Sequence, residues 1–232
     1  MRLLQTALRW MGFTIAGLLG LWITFQLYLR IRRRLQPGPI PVHLAHVLRS
    51  PLRSKLFGTS EQIIEHAGVT PGMRVLEIGP GPGYFTVPLA RRVADQGQRG
   101  SVTCLELQPE MIAMLRQSLS AEQITNVEIL QGDAQELSLP PESFDMVFLV
   151  TVIGEVPDVQ TLFHKCAQVL KPGGILAVTE QVNDPDFRLP GFVRKLALAA
   201  GLEEAGLVGF PWWAYTARYR KPAVVPSLEH TT

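Results

Sequence analysis

A chain of 232 residues, 47% of them hydrophobic, has room for one large domain and an appendage and is too apolar for bulk disorder. Its net charge of +2 conceals a division: the first 60 residues hold nine Lys and Arg and no acid, leaving 13 of the 22 basic residues against all 20 acidic ones. A net-acidic body excludes the broad basic face of a nucleic-acid-binding domain, and a basic N-terminal collar points to an anionic surface.

The first element explains that collar. Between Arg9 and Arg30 runs WMGFTIAGLLGLWITFQLYL, 20 residues without a charge. As a helix it would cover about 30 Å, the thickness of a bilayer's hydrocarbon core. Trp10 and Tyr28 stand where interfacial aromatics are expected, with Trp22 between them. A cleaved signal peptide is the rival reading, but the run is long for one, lacks a small-x-small cleavage site and is followed by RIRRR. A buried core helix would need a polar face, which the run lacks. Arg2 and Arg9 precede the span, whereas Arg30, Arg32, Arg33 and Arg34 follow it. The positive-inside bias then predicts a single-pass protein whose C-terminal domain is cytoplasmic.

Residues 1–35 are thus read as a transmembrane anchor with a basic collar, and residues 36–59 as a linker with an amphipathic helical segment. QPGPIP is stiff and irregular because proline and glycine forbid regular structure there. VHLAHVLRSPLRSKLF follows at helical spacing, broken or kinked at Pro51. Its Arg49, Arg53 and Lys55 could lie on lipid headgroups, or the segment could pack on the domain as an ordinary helix. His43 and His46 lie one helical step apart with no carboxylate or cysteine partner, so no metal site is expected.

From residue 60 to 222 the pattern is regular. SEQIIEHAGV reads as a helix, RVLEIG as a strand, YFTVPLARRVA as a helix and SVTCLEL as a strand. PEMIAMLRQSLS is a helix opened by Pro109, VEILQGD and FDMVFLVTVI are strands, DVQTLFHKCAQVL is a helix and ILAVTEQV a strand. The alternation, with Val-, Ile- and Leu-rich strands, is that of a parallel sheet covered on both faces. LPGFVRKLALAAGLEEAG reads as helical, and LVGFPWWAYTARYRKP as a β-hairpin turning near residues 211–213, which would give a mixed sheet. Residues 223–232 form a tail. Cys104 and Cys166 fall in a core strand and a helix and read as reduced thiols, which fits a reducing compartment.

The loop in RVLEIGPGPGYFT lies between a strand and a helix, so a helix N-terminus faces whatever it holds. A triphosphate loop would need a Gly-Lys-Ser/Thr ending, which is missing. A dinucleotide loop wants G-x-G-x-x-G, but the third glycine comes one residue early, at Gly83. Glu77, inside the strand, would repel a pyrophosphate yet suits a cationic amino-acid ligand. Glu106 ends the second strand, where a carboxylate can accept both hydroxyls of a ribose, and Asp133 ends the third, within reach of an adenine amino group.

These segments, VLEIGPGPG, LELQPEMI, LQGDA, FDMVFL and LKPGG, resemble the class I S-adenosylmethionine-dependent methyltransferases, and most of all the type 11 branch that includes quinone-biosynthesis and related small-molecule enzymes. The resemblance covers residues 60–222. It implies a Rossmann-like α/β fold: a seven-stranded, mostly parallel sheet with an antiparallel last strand and helices on both faces. It also implies that Glu77, Gly79, Gly81 and Gly83 flank the methionine part of S-adenosylmethionine, and that Glu106 binds the ribose with Gln108 and Met111 beside the adenosine. Asp133 would meet the adenine amino group, with Ala134 backing the ring. Relatives often carry a His-His pair after the fourth strand, whereas this chain has VIGEVPD, leaving Glu155 either to touch substrate or to cap a helix, and Asp158 to cap.

The implied reaction is direct displacement of the methyl group by an acceptor atom. Tyr84, Glu155 and Glu180 are candidates for a general base, which an acceptor thiol ionised in solution would not need. A membrane anchor favours a small lipophilic acceptor: a quinone or phenol precursor, a lipid headgroup or a thiol. Phe192, Phe210, Trp212 and Trp213 could line its pocket or pack in the core. A catalytically lost membrane-bound scaffold and an NAD(P)-dependent oxidoreductase are the alternative functions.

Overall fold

The computed structural model describes residues 2–42 and 55–223. The readings of His43, His46, Arg49, Pro51, Arg53 and the end of the tail lie outside the described residues.

The chain opens with α1, Arg2–Leu35, a 34-residue helix. Its stretch Trp10–Arg33 is long and apolar enough to cross a membrane, and none of its described side chains is fully buried. Helix α2, Ser60–Ala67, begins at Thr59, whose hydroxyl accepts from the Gln62 N–H while the Gln62 side chain accepts from the Thr59 N–H. This reciprocal pair satisfies two amides that a helix start otherwise leaves unbonded.

The body alternates β1 (Arg74–Ile78), α3 (Thr86–Val93), β2 (Ser101–Glu106), α4 (Pro109–Ala121), β3 (Val127–Gln131), β4 (Phe144–Val150), α5 (Val159–Val169) and β5 (Leu170–Gln181). Helix α6 (Pro190–Ala199) and strands β6 (Glu203–Phe210) and β7 (Ala214–Arg220) close the domain. One seven-stranded sheet runs in the order β3-β2-β1-β4-β5-β7-β6, parallel from β3 through β5, with β7 antiparallel to both its neighbours.

The central strands β1, β2, β4 and β5 are buried on both faces, which is why they are rich in apolar residues with little alternation. Leu76, Val147, Leu149 and Leu176 pack against Leu162, Phe163 and Cys166 of α5 and Val193 of α6. Val75, Val102, Cys104 and Phe148 pack on the opposite face against Ile63 of α2, Leu89 of α3 and Leu115 of α4. Cys104 and Cys166 are buried free thiols on opposite faces of the sheet.

One predicted helix is cut short. Its last residues, GLEEAG, open β6 instead, because Glu203 and Glu204 pair with Arg220 and Tyr219 of β7. Sheet closure outweighs the local helix preference of Leu, Glu and Ala. The Glu204 carboxylate accepts from Arg194 on α6 at 2.8 Å, tying helix and strand together.

Candidate active site

The strand order reverses between β1 and β4, and the crevice outside the carboxyl ends at such a reversal is where open α/β sheets bind ligands. A cavity of about 270 Å³ lies there. Ile78 and Gly79 follow from β1, Leu105 and Glu106 from β2, Asp133 and Ala134 from β3, and Thr151 and Val152 from β4. Gly81, Gln108 and Met111 also line it, so seven of the nine expected cofactor residues converge from three separate segments.

The other two stand behind the wall. Gly83 is at φ 91°, and a Cβ there would lie 2.7 Å from Leu115 Cδ1, so its role is close packing of the loop on α4. Glu77 is buried on the face of the sheet that carries α3, where its carboxylate accepts from the Thr86 hydroxyl at 2.7 Å and the Cys104 thiol at 3.5 Å. Burial pushes its carboxyl up to about 7 against the pull of those two donors. It therefore anchors the first turn of α3 beneath the loop and does not line the cavity.

The Glu106 carboxylate is held by two backbone amides, Gly81 N–H and Gln108 N–H, each at 3.0 Å. It thereby fixes the glycine loop relative to the exit from β2. Asp133 accepts from the Gln135 N–H at 2.8 Å, and the Gln135 side chain accepts in turn from the Asp158 N–H at 2.9 Å. Asp158 caps α5 by accepting from the Thr161 N–H, as its position suggested. Gly79 sits at φ 69°, and a Cβ there would come within 2.7 Å of Val152 Cγ2, so only glycine lets the loop turn this close to the β4 exit. Thr151, at φ 53°, is a β-branched residue in the left-handed region on the cavity wall, a strained conformation that its sequence does not announce.

Of the three candidate bases, Tyr84 and Glu155 line the cavity and Glu180 does not. Glu180 is buried at the end of β5, accepting from the Arg188 N–H at 2.9 Å, and burial together with Asp184 holds its carboxyl well above the usual range. Burial and then Asp184 push Glu155 up to about 8, against the opposing pull of Arg33. The aromatic residues expected as pocket or core, Phe192, Phe210, Trp212 and Trp213, are neither: all four are exposed and none lines the cavity.

The linker was the missed component. Pro37, Gly38, Pro39 and Ile40 form one wall of the cavity, and the Ile40 carbonyl accepts from the Gln108 side chain at 3.1 Å. Upstream, Arg33 pairs with buried Asp186 at 2.6 Å and lies 3.9 Å from Glu155. Its composition identifies this linker as stiff, but nothing in sequence spacing tells where it lies.

The donor set has a definite charge character. Glu106, Asp133 and Glu155 line the cavity, and no Lys or Arg does so among the described residues. With a tight glycine turn on one side and the apolar Ala134 and Met111 on the other, these residues fit a cationic nucleoside with an amino-acid arm. They do not fit a pyrophosphate, which would face Glu106 and Asp133 with no Lys or Arg on the cavity wall among the described residues.

Sheet order, glycine loop and strand-end acids define the fold: it is that of the class I S-adenosylmethionine-dependent methyltransferases. Residues 76–178 match the family described as "Methyltransferase domain". Over 118 residues the chain is 34% identical to the ubiquinone/menaquinone biosynthesis C-methyltransferase UbiE of Shewanella sediminis, covering 50% of this chain and 46% of that protein. A demethylmenaquinone methyltransferase of Listeria monocytogenes is 33% identical over 122 residues, or 52% and 50% of the two chains. The chain thus spans about half the length of the curated relatives it matches. Among solved structures, a SAM-dependent methyltransferase from Aquifex aeolicus superposes with a TM-score of 0.70 at 20% identity, covering 79% of this chain and all of that one.

Proposed function

We propose that this protein is a membrane-tethered enzyme that moves the methyl group of S-adenosylmethionine to a small lipophilic acceptor. The observation that carries the reading is the character of the cavity wall: the strand-end acids Glu106 and Asp133 with no Lys or Arg beside them among the described residues, at the switch point of a methyltransferase fold. When bound, S-adenosylmethionine supplies a methyl group already activated by positive sulfur. The protein's own task is then alignment, which can contribute roughly 7–11 kcal/mol. Glu106 and Gln108 would hold the ribose side, Asp133, Ala134 and Met111 the adenine, and the Gly79–Gly81 turn the amino-acid arm. Glu77 would act on that arm only through the loop it anchors. Tyr84 and Glu155 remain as residues able to meet the acceptor.

The lipophilic acceptor follows from the apolar helix α1, read as a single span with the catalytic domain on the cytoplasmic side. Tethering raises the effective concentration of acceptors dissolved in the same bilayer. The names of the two relatives make a quinone or phenol precursor the first acceptor to try, ahead of a lipid headgroup or a thiol.

Calorimetric titration of the full chain in nanodiscs tests the cofactor assignment. S-adenosylmethionine and S-adenosylhomocysteine should bind and NAD should not. Binding of NAD alone would overturn the proposal. Transfer of labelled methyl to a lipophilic phenol but not to its water-soluble analogue is the result expected for the acceptor class, and equal transfer to both would remove it.

A further inference from the structure

The turn between β6 and β7 carries side chains that neither the core nor the cavity uses. Phe210 and Trp212 are 66% and 69% exposed, and Leu56, Leu189, Phe192 and Trp213 lie between 41% and 58%. Residues 205–217 contain no charged side chain. Contiguous exposed apolar surface of this kind marks an interaction site rather than ordinary surface scatter.

The hydrogen bonds place this patch at one edge. Phe210 ends β6 and Ala214 opens β7 opposite Gln181, the last residue of β5, so the turn stands at the carboxyl end of the sheet. Arg188 is fixed at the same end: its N–H donates to Glu180, and its carbonyl accepts from the Tyr215 hydroxyl at 2.6 Å. Leu189 and Phe192 follow it directly. The Leu56 carbonyl accepts from Trp213 Nε1 at 2.8 Å, which adds the sixth residue.

Helix α1 arrives at that edge. The Arg30 guanidinium donates to the Val182 carbonyl at 2.5 Å, and the Val182 N–H donates to the Trp213 carbonyl at 2.7 Å. One residue therefore joins the apolar helix to the aromatic turn. Along the described side chains of α1, Gln26, Leu29, Arg30 and Arg33 are half-buried while the rest, from Trp10 to Leu35, are exposed. These four positions form one helix face and span about 10 Å of the axis. The domain thus reaches past the arginines to the level where the uncharged run begins, which is the depth of the headgroups if α1 spans a bilayer.

We propose that the Phe210–Trp213 turn, with Leu56, Leu189 and Phe192, is a lipid-docking surface that inserts into the interfacial layer of the leaflet beside α1. Tryptophan and phenylalanine next to an uncharged backbone turn suit that layer, where an apolar body is buried and a polar edge stays wet. The cavity lies at the same carboxyl end of the sheet, so docking sets it at the lipid surface. The proposal rests on the reading of α1 as a membrane span.

Two fluorescence variants separate the claims. In Trp10→Phe/Trp22→Phe, the remaining tryptophans are Trp212 and Trp213. In phosphatidylcholine vesicles brominated near the headgroup, about half of their emission or more should be lost, as burial to roughly 5–10 Å requires. In Trp10→Phe/Trp212→Phe/Trp213→Phe, Trp22 reports the span and should be quenched most by lipid brominated near the chain ends. Quenched Trp22 with unquenched Trp212 and Trp213 overturns the docking surface and leaves the anchor standing. Unquenched Trp22 overturns the anchor and the docking surface together. Binding of S-adenosylhomocysteine by both variants, measured alongside, shows that each is folded and would persist if only the membrane readings failed.

Discussion

Glu106 is the residue on which the cofactor assignment turns, because it is both on the cavity wall and bonded to the glycine loop. Replacing it by alanine removes a charged acceptor, worth about 1.5–3 kcal/mol. The expected result is a rise in the Kd for S-adenosylmethionine of roughly tenfold to a hundredfold by calorimetry; an unchanged Kd would remove Glu106 from the site. Glu77 makes a different prediction. Its carboxyl is raised from the ordinary 4.5 to about 7, so the folded state holds a proton that the unfolded chain releases across that interval. Stability should therefore be highest below about pH 4.5 as far as this group is concerned, and fall as pH rises toward 7. Glu77→Gln should flatten that slope and, above pH 7, recover on the order of 3 kcal/mol of the penalty, less whatever the Thr86 bond contributed. Chemical denaturation across pH measures it; an unaltered slope would show that Glu77 is not the group responsible. The sequence marked both acids equally. Both are buried, and only the sheet face each side chain takes separates the one that lines the cavity from the one that anchors a helix.

At the scale of elements, the glycine turn from β1 into α3 is constrained by the exit from β4. Gly79→Ala places a methyl group against Val152 and forces an alanine into φ 69°, a left-handed conformation costing about 1–2 kcal/mol before the clash is counted. S-adenosylmethionine affinity should fall, and Gly79→Ala/Val152→Ala should regain part of it by relieving the contact but not the backbone strain. A double variant no better than the single one would mean that the contact does not matter. The parallel core was legible because its central strands are rich in Val, Ile and Leu with little alternation and Pro109 marks a helix start, whereas the Thr59 cap emerged only from the structure. The start of β6 was not. GLEEAG has helix-forming residues, and only its partner Ala217–Arg220, far along the chain, makes it a strand. Thr151 is hidden for the same reason: it turns into the left-handed region where β4 leaves the sheet, its N–H donating at 2.9 Å to the Thr179 carbonyl of the neighbouring strand.

Across the whole molecule, the apolar helix α1 and the cavity are one mechanical unit. Arg33 holds Asp186 and reaches toward Glu155, and the next residues form a cavity wall that is pinned by Gln108. Arg33→Gln leaves Asp186 buried without its cation, a loss of roughly 3 kcal/mol. Amide exchange across residues 36–42 should then accelerate by about a hundredfold, while that of β1 and β4 stays slow. Unchanged exchange in the linker would show that Arg33 does not hold it. Losing the arginine also removes the pull that opposes burial at Glu155, so its carboxyl should titrate above the present value of about 8. What the sequence by itself determined is what depends on local pattern. Apolar periodicity, capping residues, the glycine spacing and an uncharged run of 20 residues specify the sheet class, the loop chemistry and a helix of membrane length. What only the tertiary structure decided is what depends on distance between remote segments. Glu77 falls behind the loop, the 37–40 linker forms one wall of the cavity, and four aromatic residues are exposed instead of lining the pocket. The physical reason is that burial and proximity belong to pairs of segments brought together by the fold, and neither is encoded at the position of a single residue.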